Sequence, residues 1–342
     1  MTAHELRQAT RLILVEGIPG SGKSTLAQFL LRQVQGDGRQ ARWWYEEERD
    51  HPLYPFHDVP SLQRVVGDLY SGNHRGVIAA VLTMWRQLSE ALQIDKHLVL
   101  LDGCFFGYLT WSLFAADVSF AETAEYVVEV ERIVAPLRPA IIYLRTDNVA
   151  GTIRRICDRR GGQTERNFIR RATGSPYGRR LGLIDFPGLV SFWTDFRSLA
   201  DALFAHSNLA KLNVDNTAGD WMVYERSVLD YLAITPVVPP QHPIAELAQF
   251  AGRYSVVQND TETFCEVRVQ DRRLYLDGVP EVWPACHLIP QTTDTFAVES
   301  LPFTVTFEAD APGVVTGFNL AGPALLAGPI DSHFRRDATT PD

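Results

Sequence analysis

The chain has little cysteine and no long apolar run. Its four cysteines, Cys104, Cys157, Cys265 and Cys286, lie far apart and form no C-x-x-C pair. Neither a zinc site nor a disulfide framework is indicated, and isolated reduced thiols are expected. No stretch approaches the ~18 to 20 apolar residues that a membrane helix needs. The opening "MTAHELRQAT" lacks the basic, apolar and small-residue regions of a signal peptide. A cytoplasmic protein with no membrane partner is therefore expected. Internal repeats and low-complexity tracts are missing too. A net charge of −9 argues against a general surface for nucleic-acid polymers.

What is present describes a globular protein of more than one domain. The chain has 342 residues, of which 46% are hydrophobic and 21% charged, and domains usually take roughly 100–200 residues each. Up to about residue 233, short apolar runs alternate with helical patterns. The runs are "RLILVE" (11–16), "ARWWY" (41–45), "HLVLLD" (97–102), "AIIYLR" (140–145) and "AKLNVD" (210–215). Helices are expected after the first run and at about 61–70, 75–93, 120–135, 149–160, 187–206 and 219–233. This alternation predicts an α/β fold, a five-stranded parallel sheet with helices on both faces.

After Ile234 the texture changes. "TPVVPPQHP" holds four prolines in nine residues, which favours an extended linker at 234–246. Beyond it, "TFCEVRV", "RLYLDG", "TFAVES", "FTVTFEA" and "VVTGFNL" alternate in the manner of antiparallel strands. Three parts are thus expected: 1–233, the linker, and an all-β meander or small barrel over 247–342. The last residues, "DSHFRRDATTPD", read as a frayed end.

The stretch "EGIPGSGKST" carries the clearest chemistry. Gly17, the four residues Ile18 to Ser21, Gly22, Lys23 and Ser24 satisfy G-x-x-x-x-G-K-[ST] between an expected strand and helix. Glycines including Gly20 let the loop curl so that backbone N–H groups face phosphate oxygens. Lys23 adds a point charge, Ser24 can ligate Mg²⁺, and Thr25 is expected at the α-phosphate. The pattern indicates a held triphosphate. It does not say what the triphosphate is for.

Acidic residues supply part of that answer. Asp102 ends an aliphatic strand, the position from which a carboxylate can hold Mg²⁺ beside such a loop; capping the next turn is the competing reading. Glu16 precedes Gly17 and divides evenly between a structural and an acceptor-site role. The cluster Glu46, Glu47, Glu48, Asp50 and His51 follows the second strand. It could supply a general base, Glu46 first, or be a solvated acidic face. His51 reads as structural.

Residues 154–180 hold nine arginines and no lysine against Asp158 and Glu165, a local net of +7 that leaves −16 for the rest. Arg155 and Arg159 share a helical face, and Arg160 leads into "GGQ", a glycine-marked hinge. Arginine suits bidentate phosphate contacts. A lid over about 150–180 that closes on the transferring group and excludes water is the expected arrangement.

Residues 11 to about 233 resemble the P-loop nucleoside and nucleoside-monophosphate kinases, thymidylate kinases and deoxynucleoside kinases in particular. The likeness rests on "EGIPGSGKST", on "IIYLRTDNVAGTIRRICDRRG" as a strand leading into an arginine-bearing lid, and on "LNVDNTAGDWMVYERSVLDYL". It implies ATP as phosphoryl donor, Mg²⁺, a base near Glu46 and adenine beside "DNTAGDW". That group usually has Asp-Arg at the third strand; here Asp102-Gly103-Cys104-Phe105 stands instead, so that arginine is absent.

The C-terminal part is more faintly similar to the lipocalin-like barrel appended to some serine β-lactamase-like proteins, and it contains no Ser-x-x-Lys. Three uses of the triphosphate remain. They are transfer to a nucleoside or nucleotide, transfer to another metabolite or antibiotic, and a hydrolytic switch whose barrel binds a partner. A small-molecule acceptor is the expected partner, and a homodimer stays open. The aromatics of "WWY", "PLYPF" and "CFFGYLTW" could stack on a flat acceptor or belong to the core.

Overall fold

The computed structural model describes residues 10–337 apart from 239, 241, 259, 260 and 312. It contains two compact units. One takes the chain to Asp158 and again over Gly162–Val237; the other takes Arg159–Gly161 and the chain from Val238.

The first unit is an α/β layer. Strands β1 (Leu12–Gly17), β2 (Ala41–Trp44), β3 (Leu98–Asp102), β4 (Ala140–Arg145) and β5 (Ala210–Asp215) form a parallel sheet in the order β2-β3-β1-β4-β5. The three inner strands are aliphatic and buried along almost their whole length, because helices cover both faces. The edge strands β2 and β5 mix buried and exposed positions.

Helices α1 (Lys23–Gly36), α2 (Val59–Tyr70) and α3 (His74–Ile94) come first. In α3, Val77, Val81, Trp85, Leu88 and Leu92 recur at helical spacing and are buried. After β3 a π-helical turn, Cys104–Tyr108, leads into α4 (Leu109–Ala115) and α5 (Phe120–Val134). The arginine-rich region is helical nearly throughout, in α6 (Val149–Arg160), α7 (Gly162–Gly174) and α8 (Pro176–Arg180). The expected hinge shrinks to Gly161 at φ +90°, where the chain breaks between α6 and α7. The long α9 (Asp185–His206) and α10 (Trp221–Leu232) complete the unit.

The second unit opens with α11 (Ile244–Leu247) and a short 3₁₀ turn, then forms a closed antiparallel barrel of eight strands. These are β6 (Gly252–Gln258), β7 (Thr261–Gln270), β8 (Arg273–Asp277), β9 (Cys286–Pro290), β10 (Thr295–Val298), β11 (Thr304–Ala311), β12 (Val314–Leu325) and β13 (Gly328–Arg336). Each pairs with its successor, and β13 closes on β6.

Aromatic side chains fill the interior. Phe318 stacks on Phe334 at 4.7 Å, Phe307 meets Phe250 at 4.5 Å, and Tyr254 meets Phe318 at 5.0 Å. The expectation of a frayed end over 331–336 fails. Ile330, Ser332 and Phe334 alternate inward and complete the barrel, and Arg336 donates to the carbonyls of Gln249, Val315 and Ala251. Residues 338–342 of that stretch lie outside the described residues, as do 239 and 241 of the expected linker.

In the first unit and the barrel alike, no described helix is long and apolar enough to cross a membrane.

Candidate active site

The ends of β1 and β3 meet where the glycine loop begins. In the sheet register Val15 faces Asp102, and the amide of Gly103 donates to the carbonyl of Val15 at 2.9 Å. The loop of Gly17, Gly20, Ser21 and Gly22 then turns into α1, whose first residues are Lys23, Ser24 and Thr25. Gly22 caps that helix at φ +91°, a conformation other residues adopt at a cost, and the indole of Trp221 at the start of α10 occupies the place where a Cβ would stand. The Nδ2 of buried Asn216, which follows β5, donates to the Ser21 carbonyl. One residue of the expected adenine loop thus bonds the backbone of the glycine loop, and another lies against it.

Lys23 is nearly buried, with its ammonium 3.4 Å from the Ile18 carbonyl. Asp102 is fully buried, and neither carboxylate oxygen has a hydrogen-bond partner among the described residues. Burial lifts its pKa to about 7, with the negative charge of Glu46 adding to the rise and Lys23 opposing it. Ser24 is close enough to lower that value, though it makes no bond of ordinary geometry. The Ser21 hydroxyl is buried and unpartnered as well.

Glu46 reaches this place from β2. A Cβ on Gly103 would stand 2.9 Å from Lys23 Cε and 3.0 Å from Glu46 Oε2, so both side chains crowd the same glycine. Gly103 itself sits at φ +63°. The missing arginine after Asp102 therefore has a physical reason: a side chain there would displace the lysine and the glutamate.

The other acids have structural work. Glu48 is buried, accepts from the Tyr45 amide at 2.9 Å and faces Arg42, and burial raises its pKa. Glu47 and Asp50 are exposed. His51 is buried, stacks on Tyr54 at 4.1 Å and accepts from the Leu53 amide; burial takes its pKa down to about 3. Glu16 is bound to backbone amides of the turn after β3.

Much of the aromatic set is core: Trp43, Tyr45, Tyr54, Phe56, Phe105 and Phe106 are buried. Tyr108 is half-buried, 4.4 Å from Tyr54 and 5.8 Å from Phe56.

The arginines divide. Arg155 is exposed on α6 and donates to Thr152 Oγ1 at 2.9 Å, and the Thr152 carbonyl lies against Gly20. Arg159 and Arg160 group with the second unit. Sequence reasoning missed Asn216 and Trp221 as supports of the loop, because their partners lie about 200 residues away.

No family model and no curated protein matches the chain. Among solved structures it is similar to a protein from Chloroflexus aurantiacus J-10-fl described as a "putative kinase". The identity is 15%, over 66% of this chain and 98% of that one, with a TM-score of 0.33. A likeness so slight carries no argument for fold or function.

Proposed function

We propose that the first unit is a phosphotransferase that moves the γ-phosphoryl group of ATP onto a small-molecule acceptor, a nucleoside or nucleotide in the first instance. The observation that carries this reading is the Asp102 carboxylate. A fully buried acid whose oxygens have no hydrogen-bond partner among the described residues, beside Lys23 and a glycine loop, is costly unless a proton or a cation completes it, and above its raised pKa a cation is what remains.

Magnesium fits these donors, a carboxylate and the Ser24 hydroxyl, and when bound it neutralises charge between phosphoryl oxygens. The chain's own residues do the remainder. Backbone amides of the loop and the Lys23 ammonium hold the phosphates, and Arg155 stands on the flank of the loop at Thr152. Glu46 takes the proton as the acceptor hydroxyl attacks the γ-phosphorus and ADP leaves. The helices over 150–180 serve as a lid that keeps water from competing. Half-buried Tyr108 beside Tyr54 and Phe56 supports an acceptor with a flat ring.

A coupled assay of ADP release against nucleosides, nucleotides, sugars and aminoglycosides tests the reading. One acceptor class should raise ADP formation sharply, and Lys23→Ala should abolish the rise. ADP formation indifferent to every acceptor would favour a hydrolytic switch instead.

A further inference from the structure

Glu16 is fully buried at the end of β1, one residue before the glycine loop. Its carboxylate reaches across to residues 89 and 91 positions later. Oε1 accepts from the Phe105 amide at 2.7 Å and Oε2 from the Gly107 amide at 3.2 Å. Those amides belong to the single π-helical turn Cys104–Tyr108, whose first N–H groups have no partner within the turn. The turn itself closes wide, with the Tyr108 amide donating to the Gly103 carbonyl at 2.9 Å.

At Gly107 the backbone leaves helical geometry, with ψ −126°, and hands the chain to Tyr108. The Tyr108 ring meets Tyr54, and the Tyr54 hydroxyl donates to the Glu46 carbonyl at 2.6 Å. A continuous set of contacts therefore runs from the strand bearing the glycine loop, through Glu16 and the turn, to the residue assigned as base.

We infer that Glu16 is a positioning residue: its carboxylate fastens the Cys104–Tyr108 turn to the phosphate-loop strand and thereby sets the acceptor wall at Tyr108 and the peptide of Glu46. This rests on the kinase reading for its consequence, though the fastening itself does not. Carboxylate-to-amide bonds are charge-assisted and stronger than neutral ones. Glutamine offers one oxygen and an NH₂ group that cannot accept from the second amide.

Hydrogen exchange on the full chain without nucleotide at pH 8, where Glu16 is ionised, compared between wild type, E16Q and E16D, tests the fastening. In E16Q the amides of Phe105 and Gly107 should exchange ~10-fold faster or more, while β4 keeps its protection. E16D, one methylene shorter, should lie between. In turnover, E16Q should raise the acceptor KM by ~10-fold with a smaller change in kcat and with ATP affinity retained. Wild-type exchange at both amides in E16Q overturns the inference; should E16Q not fold, wild-type exchange in E16D overturns it equally. A wild-type chain that fails to bind ATP would sink the kinase reading alone, because the exchange comparison needs no ligand.

Discussion

In the barrel, Tyr254 is wholly buried and its hydroxyl donates to the Phe250 carbonyl at 2.7 Å, so the polar atom is satisfied and the ring packs on Phe318. In the sheet unit Asp102 is equally buried, yet both oxygens lack a hydrogen-bond partner among the described residues. The first arrangement lowers free energy within the chain and asks nothing from outside. The second raises it and is relieved by a cation or a proton. Burial alone therefore does not mark a site; what singles out Asp102 is an ionisable group with both oxygens unmet beside Lys23 and the glycine loop.

The largest effect should come from Asp102→Asn. On the phosphotransferase reading it is expected to lower kcat/KM by ~10³-fold in the acceptor assay, since the charge proposed to hold the cation is lost. The same variant should melt at a higher temperature than wild type at pH 8 without ligand, because a buried charge has been removed. Parallel losses of activity and stability would break the contrast with Tyr254.

Phe318→Ala probes the other side. It should cost ~3–5 kcal/mol of barrel stability in a denaturant titration. On the phosphotransferase reading ATP binding by the glycine loop should be unchanged, because Phe318 belongs to the second unit, and a fall in affinity would break the comparison.

A third effect is a pH dependence. Burial raises the Glu16 carboxyl from 4.5 to about 7, so between those values the folded chain keeps a proton that the unfolded chain releases. The contribution is present below pH 4.5 and is lost as pH rises through 7, by roughly 3 kcal/mol at most. Thermal melts of ligand-free wild type should show this decline, to which the buried Asp102 carboxyl also contributes, and E16Q should make it shallower while the Asp102 part remains. Smallest, Glu46→Gln should lower kcat by ~10²-fold with ATP affinity unchanged; a wild-type rate would remove Glu46 as the base.

The sheet was legible because its three inner strands are uninterrupted aliphatic runs, and only sequestered parallel strands need that. The glycine loop was legible because its spacing is itself the geometry. Helix α4 was not, since "LTWSLFA" is apolar on nearly every side and shows no period. The last strand was misread because Asp331, His333 and Arg335 hid the inward alternation of Ile330, Ser332 and Phe334. Among the acids, Glu46 and Glu48 stand two residues apart in one charged run. Only the fold separates the one beside Gly103 from the one bonded to the Tyr45 amide.

The contact between Gly22 and the indole of Trp221 has a practical consequence. Trp221 is half-buried and lies on the turn where the loop enters its helix. Indole emission shifts with local polarity, so this residue is a built-in optical sensor of the loop. On the phosphotransferase reading, the difference in emission between wild type and Trp221→Phe should report nucleotide in the loop by intrinsic fluorescence, with no dye and no turnover required.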